Sequence, residues 1–279
     1  MASTTPASSS FPTTAFIGGG NMASAIIGGL IAQGVPASQI LVVEPWDEAR
    51  TALKRNFGID ALAAADASLS SAALVVWAVK PQTFKDAAAA AAAHTSQALH
   101  LSVAAGITSD SIADWLGTGR IVRAMPNTPA LVAKGIAGLF ARAAVSADDK
   151  ALIESVIRTT GQFVWVHEEA QLDAVTALSG SGPAYVFLFL EAMTRAGQEM
   201  GLSAEQAYRL GVATFQGASE LASRSSEPAE VLRQRVTSKG GTTHAAIMHM
   251  QEHKVPEHFI EAMHAAEKRA RELAAEFGK

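Results

Sequence analysis

Cysteine is missing altogether from the 279 residues. Its absence excludes disulfides, thiolate catalysis and cysteine-ligated zinc, and it fits a cytoplasmic protein. Charge is scarce as well. Asp, Glu, Lys and Arg make up 17% of the chain, the net charge is -4, and the basic residues do not cluster. Such a balance is not the electrostatic footprint of a nucleic-acid surface. Nothing is long and apolar enough for a bilayer. The run Tyr185 to Leu190 lies between a glycine cluster and Glu191, far short of the roughly 20 residues that a spanning helix needs. It reads as part of a helix buried on most of its faces, apolar around Val186 to Leu190 on more of them than one small domain can cover, so a partner subunit is expected to cover the remainder. Met1 to Ser10 carry no charge and lead into no apolar segment, so no secretory signal is expected. Residues 1–12 read as a disordered tail. Histidines gather late, at 244, 249, 253, 258 and 264. No HExxH and no acidic ligand at a recognisable spacing accompanies them, so no metal is expected.

What is present is apolar residue: 49% of the chain, enough for one large core or two smaller ones. Short apolar runs alternate with helical patterns in the first part. Strands are expected at Ala15 to Ile17, Ile40 to Val43, Leu74 to Val79, Leu99 to Val103, Ile121 to Ala124, Ile136 to Phe140 and Phe163 to Val166. Helices are expected at 21–33, with Met22, Ile26, Ile27, Leu30 and Ile31 at helical spacing, then at 47–56 and 82–93. The alanine run in the third of these is a helix former's composition. Alternation of this kind implies a mainly parallel sheet covered on both faces. Beyond residue 168 no strand pattern continues. Helices are expected at 169–178, 183–200, 203–223, 227–236, 242–252 and 257–277, and Ser203 with Gln206 forms a capping signature. The fold class read from these patterns is α/β. A doubly wound sheet over residues 13–168 precedes an all-helical domain over 169–279.

Gly18-x-Gly20-x-x-Ala23 follows the first strand and opens the first helix. The first glycine permits a tight turn and the second lets backbone approach a pyrophosphate. The small third residue allows close helix–strand packing. Phosphate oxygens would accept hydrogen bonds at the helix N-terminus. In this context the motif reads as the dinucleotide site of a Rossmann-type domain. Glu44 ends the second strand, where an acidic residue commonly bonds the ribose 2′-hydroxyl and repels a 2′-phosphate. That favours NADH. Arg50, Lys54 and Arg55 lie just downstream. They either accommodate a 2′-phosphate or are solvated helix residues, so the cofactor stays NADPH or NADH. Ala78-Val79-Lys80-Pro81 and Ala104-Ala105-Gly106 follow later strands, where ligands of open parallel sheets bind. Both are equally readable as ordinary turns.

Two more segments stand out. Arg123 to Ala130 holds two prolines and reads as a stiff extended loop. Val236 to Thr243 places hydroxyls and glycines before a helix. It is either a carboxylate site built on free amides or a flexible helix entry. With Phe16 to Met22, Val79 to Gln82, Ser102 to Gly106 and Ala177 to Tyr185, these segments resemble the pyrroline-5-carboxylate reductase family through the whole chain after the tail.

The resemblance implies reduction of 1-pyrroline-5-carboxylate to L-proline by NADPH or NADH, the last step of proline synthesis. It also implies a homodimer or an assembly of dimers, built on the helical domain, with the active site between subunits. Ser238 and the amides of Gly241 and Thr242 would hold the substrate carboxylate. Thr243 would set its hydroxyl against the ring nitrogen, and is the candidate catalytic residue. Ile17, Gly18, Gly19, Gly20, Asn21 and Met22 would line the cofactor, with Glu44, Ala78 to Pro81 and Ala104 to Gly106. Where the family reads Ser-Pro-Gly-Gly, this chain has Lys239 in place of the proline. That removes one fixed φ. The cation either attracts the carboxylate or points to solvent. Two rivals are a related imine or hydroxy-acid reductase and a non-catalytic dinucleotide-binding regulator. Hydroxy-acid reductases of this build use a lysine in the helical domain, and none stands between Glu168 and Lys239. A regulator has no need of the Ser238 to Thr243 loop.

Overall fold

The computed structural model describes residues 11–278. Within them the chain divides into two compact units. The first runs to Gly180 and takes up the chain again from Ala266, and the second is Ser181–Ala265.

The first unit is built on one sheet. Its strands are β1 (Thr14–Ile17), β2 (Ile40–Val43), β3 (Leu74–Trp77), β4 (Leu99–Ser102), β5 (Ile121–Met125), β6 (Gly135–Ala141) and β7 (Gly161–Trp165). They are ordered β2-β1-β3-β4-β5-β6-β7. All neighbours are parallel except β5 and β6. Between them run α1 (Asn21–Ala32), α2 (Asp47–Phe57), α3 (Pro81–Thr95), α4 (Ser109–Leu116), α5 (Ala147–Arg158) and α6 (Gln171–Val175).

Why both faces of the sheet are covered is visible in single strands. Phe16, Leu74 and Val76 belong to one core with Ile26, Ile27 and Leu30 of α1. Their neighbours Ala15, Ile17, Val75 and Trp77 belong to a second core with Phe84 and Ala88 of α3. Successive side chains point to opposite faces, so a strand buried on both sides reads as an unbroken apolar run. Each fully buried aliphatic contributes roughly 1.5–3 kcal/mol, so three of them anchor α1 firmly.

The strand alternation gave no sign of α4 and α5. Their caps mark them: Thr108 Oγ1 accepts from the Ser111 amide, and Ser146 with Asp149 closes a capping box. The expected division at residue 168 also differs from the compact units. Residues 169–180 pack with the first unit, since Val175 lies against Gly138 and Met125 against Gly180. The chain end returns to it as well, where Ser111 Oγ donates to the Gly278 carbonyl at 2.6 Å.

The second unit is helical. It holds α7 (Gly182–Glu199), α8 (Ala204–Arg224), α9 (Ala229–Arg235), α10 (Thr242–Glu252) and the first part of α11 (Val255–Phe277). Small residues let α7 and α8 approach: a Cβ on Gly197 would lie 2.6 Å from the Ala207 Cβ. Phe259 meets Tyr185 and Phe189 edge to face, with ring centres 5.6 and 5.8 Å apart. The run in α7 is only partly covered by its own chain, as expected of a helix too apolar for one small domain to cover. Leu190 is buried, whereas Phe187 is 58% and Leu188 63% exposed. A few helices supply too little surface to cover every face of so apolar a segment. Among the described residues no helix is long and apolar enough to cross a membrane.

Candidate active site

The sheet register lines up the cofactor candidates. Ile17 pairs with Val43 on one side and Trp77 on the other, and Trp77 pairs with Ser102. These four residues end their strands. Gly18, Glu44, Ala78 and Val103 therefore follow in one row along the carboxyl edge of the sheet. The order reverses between β1 and β3, which is the switch point where open sheets take ligands.

Gly18 turns the chain there with φ 96° and accepts no side chain, because a Cβ would lie 2.6 Å from the Ala78 carbonyl oxygen. Nothing lies within 4 Å of a Cβ on Gly20. Ala23 is fully buried behind the turn. No side chain caps α1, and its first turn has no acidic residue. The amides of that turn thus face open space beside a helix dipole, an arrangement that fits a pyrophosphate. Ile17 is 3% exposed and contributes backbone: its carbonyl accepts from the Ala78 amide at 2.8 Å. Asn21, Met22, Ala78, Val79, Lys80 and Pro81 retain accessible surface along this edge. Gly106 bends away with φ 72°, next to Ala105, while Ala104 is buried.

Glu44 is 6% exposed, although its place suggests a ribose ligand. Its Oε2 accepts the Gly19 amide at 2.7 Å and its Oε1 the Trp46 amide at 2.9 Å. Arg50 is also engaged. Its Nη1 donates to the carbonyls of Glu44 and Pro45, at 3.0 and 2.7 Å, and its Nη2 to Asp47. Lys54 pairs with Asp60. The three cations line a cavity of about 400 Å³ that includes no residue of the glycine turn.

The Arg123 to Ala130 loop acquires a partner that the sequence did not reveal. Asn127 Oδ1 accepts the Ile136 amide at 3.0 Å, and its Nδ2 donates to the Ser179 carbonyl at 3.2 Å. Ser179 sits in a π-helical turn, Thr176–Gly180, and such turns frequently occur at functional sites. Arg123 is buried and pairs with Glu169 at 2.7 Å. The only sequence hints were the two motifs themselves.

In the second unit the Ser238 to Thr243 segment is a turn running into α10. The Gly241 amide donates to the Ser238 carbonyl at 3.0 Å, and Gly240 has φ 77°. These are the marks of a type II turn with Lys239 and Gly240 at its centre. Here the expectation for Gly241 changes, because its amide is already used inside the turn. No side chain caps α10 and no acidic residue stands in its first turn. The amides of Thr242 and Thr243 have no helical acceptor. Helical threonines elsewhere bond back to a carbonyl four residues earlier, as Thr194 and Thr214 do at 2.7 and 2.8 Å. For Thr243 that position is Lys239, outside the helix, and its half-exposed hydroxyl has no bond to the described residues. Ser238 and Lys239 are exposed. Among the described residues no three side chains of metal-binding type cluster. His249 and His253 are tilted ring neighbours 4.1 Å apart.

Comparison with known proteins decides the family. A pyrroline-5-carboxylate reductase of Pseudomonas aeruginosa is 47% identical over 273 residues, covering 97% of this chain and 100% of that one. The chain belongs to the pyrroline-5-carboxylate reductase family. The Haemophilus influenzae protein of that name is 40% identical, covering 94% and 98% of the two chains. A family model for pyrroline-5-carboxylate reductase dimerisation matches residues 169–273. One described as NADP oxidoreductase, coenzyme F420-dependent, matches 13–106. The solved structure of the Coxiella burnetii reductase matches with TM-score 0.88 at 40% identity, over 95% of this chain and 99% of that one. The Plasmodium falciparum enzyme, solved with NADP bound, matches with TM-score 0.84 at 25% identity over the same shares.

Proposed function

We propose that the chain reduces 1-pyrroline-5-carboxylate to L-proline with NADPH or NADH. The observation that carries the reading is the entry to α10: an uncapped helix start with a free threonine hydroxyl beside it. That combination suits a small carboxylate whose ring also presents a nitrogen. When bound, the reduced nicotinamide supplies the hydride, so the protein needs no nucleophile.

The chain's own residues bind and orient. Gly20, Asn21 and Met22 offer amides to the pyrophosphate, and Ala78 to Pro81 with Ala104 to Gly106 form the wall beside it. Thr242 and Thr243 offer amides, and Ser238 a hydroxyl, to the substrate carboxylate. Held at both ends, the imine carbon has few orientations, and proximity of this kind supplies much of a rate enhancement. The ring nitrogen becomes basic as its carbon accepts hydride. The Thr243 hydroxyl orients it and relays a proton from water. Threonine is too weak an acid to deliver that proton unaided, so orientation is its first role.

We further infer a homodimer, or an assembly of dimers, formed through the second unit. Exposed Phe187, Leu188, Tyr208 and Leu210 support it. Light scattering at micromolar concentration is expected to give at least twice the 29.0 kDa chain mass; a monomer contradicts it. The activity is tested by following NADPH and NADH oxidation in parallel on addition of the imine. Proline formation with either supports the reading, and no turnover with both overturns it.

A further inference from the structure

We propose that Glu44 is a positioning residue that holds the glycine turn to the start of α2, and that it does not select between the two cofactors. The β1–β2 ladder leads directly to it. The Gly18 amide donates to the Val43 carbonyl at 2.9 Å. The next amide, that of Gly19, donates to the Glu44 carboxylate at 2.7 Å. The side chain thereby continues the ladder one residue beyond the strand ends, where backbone pairing has stopped.

The second carboxylate oxygen takes the amide of Trp46. Trp46 is the N-cap residue of α2 and offers that helix no side-chain cap. One carboxylate thus fastens the pyrophosphate turn to the segment entering α2. Arg50, the nearest cation in sequence, bonds the carbonyls of Glu44 and Pro45 and the carboxylate of Asp47, leaving the Glu44 carboxylate to the two amides. A buried carboxylate accepting two amides is well satisfied, and a buried amide that loses its acceptor is not. The fit around Gly19 is close. A Cβ there would lie 2.7 Å from the Leu53 Cδ1 and 3.3 Å from the Glu44 Cγ and Oε2.

A strut of this kind acts on the turn that NADH and NADPH share. Loosening it weakens both alike. A ribose ligand gives opposite signs: its removal weakens NADH and relieves repulsion of the 2′-phosphate of NADPH. The cofactor arm of the test rests on the reductase reading, whereas the exchange arm does not.

In the cofactor-free wild-type protein, hydrogen exchange at the Gly19 amide is expected to be slowed at least tenfold relative to an unstructured chain. Glu44→Gln is expected to remove most of that protection while leaving the Val75 and Val76 amides of β3 unchanged. The dissociation constants of NADH and NADPH, read by fluorescence, are expected to rise together by about tenfold, as for one lost charge-assisted hydrogen bond. Their ratio stays within about threefold, a bound of under 1 kcal/mol. An unprotected Gly19 amide in the wild type overturns the proposal. So does a Glu44→Gln protein that binds NADPH more tightly and NADH more weakly. Failure of the wild type to bind either dinucleotide defeats the reductase reading, and the exchange result still decides the strut.

Discussion

The glycine turn of the first unit and the Ser238 to Thr243 turn of the second are both anion-ready helix entries, built in opposite ways. The first is crowded. Gly18 and Gly19 have neighbours within 3 Å of any added Cβ, and Glu44 ties the turn down. The second is open, with nothing within 4 Å of a Cβ on Gly240 and exposed residues at Ser238 and Lys239. The same contrast holds for the units around them. The first covers two cores with its own helices. The second buries only Leu190 and Ala207 among its apolar side chains, counting the described residues. A unit that completes its own core can preorganise a cofactor turn alone. One that does not complete its core leaves surface for a partner.

The sharpest way to break the contrast is at the crowded turn. Gly18→Ala imposes a positive φ on alanine and a clash with the Ala78 carbonyl. Strain of this kind costs of order 1–3 kcal/mol before the clash is added, so dinucleotide affinity is expected to fall by about a hundredfold in equilibrium titration. Retained affinity would show that the turn is less rigid than its contacts imply.

Acid should also separate the units. His100 is fully buried in the first, with Nδ1 accepting the Trp77 indole N–H at 3.1 Å. Burial pushes its pKa down from 6.5 to about 4, and the Arg120 charge adds to the shift. The unfolded chain then takes up a proton that the folded one does not. Stability is full above 6.5 and falls as pH drops towards 4, by about 3 kcal/mol in all at 1.36 kcal/mol for each pH unit. His253 and His258 of the second unit are exposed. Denaturant melts between pH 7 and 4.5 are expected to show this slope in the wild type and a flatter one in His100→Gln. An unchanged slope would place the titration elsewhere.

At the open turn smaller effects are expected. Thr243→Val removes the free hydroxyl and keeps the shape. A drop in kcat of about thirtyfold, near 2 kcal/mol, matches one lost hydrogen bond to a developing charge. NADPH affinity should not move. If kcat holds, the hydroxyl is not at the ring nitrogen. Lys239→Pro is expected to do least. Lys239 occupies the first central position of a type II turn, where proline is at home, and stability should rise by about 0.4–1 kcal/mol. The Michaelis constant for the imine is expected to change less than about threefold, under 1 kcal/mol. A large rise would assign the lysine to the substrate.

How far the sequence reaches follows the same division. Strands such as β1 and β3 were legible because they are buried on both faces, and the glycine turn because it joins a strand to a helix. The helices α4 and α5 lie between strand patterns and are marked by caps at Thr108 and Ser146 and by apolar residues at helical spacing, Ile112 with Leu116 and Ile153 with Val156 and Ile157. The roles of Glu44 and Asn127 were illegible, since they bond the backbone of distant residues, Gly19 and Ser179. Spacing carries no record of such contacts. The exposure of Phe187 and Leu188 was legible, because a helix apolar on so many faces exceeds what one small domain can cover.

The most direct measurement follows the transferred atom. With the imine and NADPH deuterated at the transferable position of its nicotinamide C4, the account predicts one deuterium at carbon 5 of the L-proline formed, read by mass spectrometry and NMR. Proline without deuterium, or oxidation of the cofactor without proline, would contradict it.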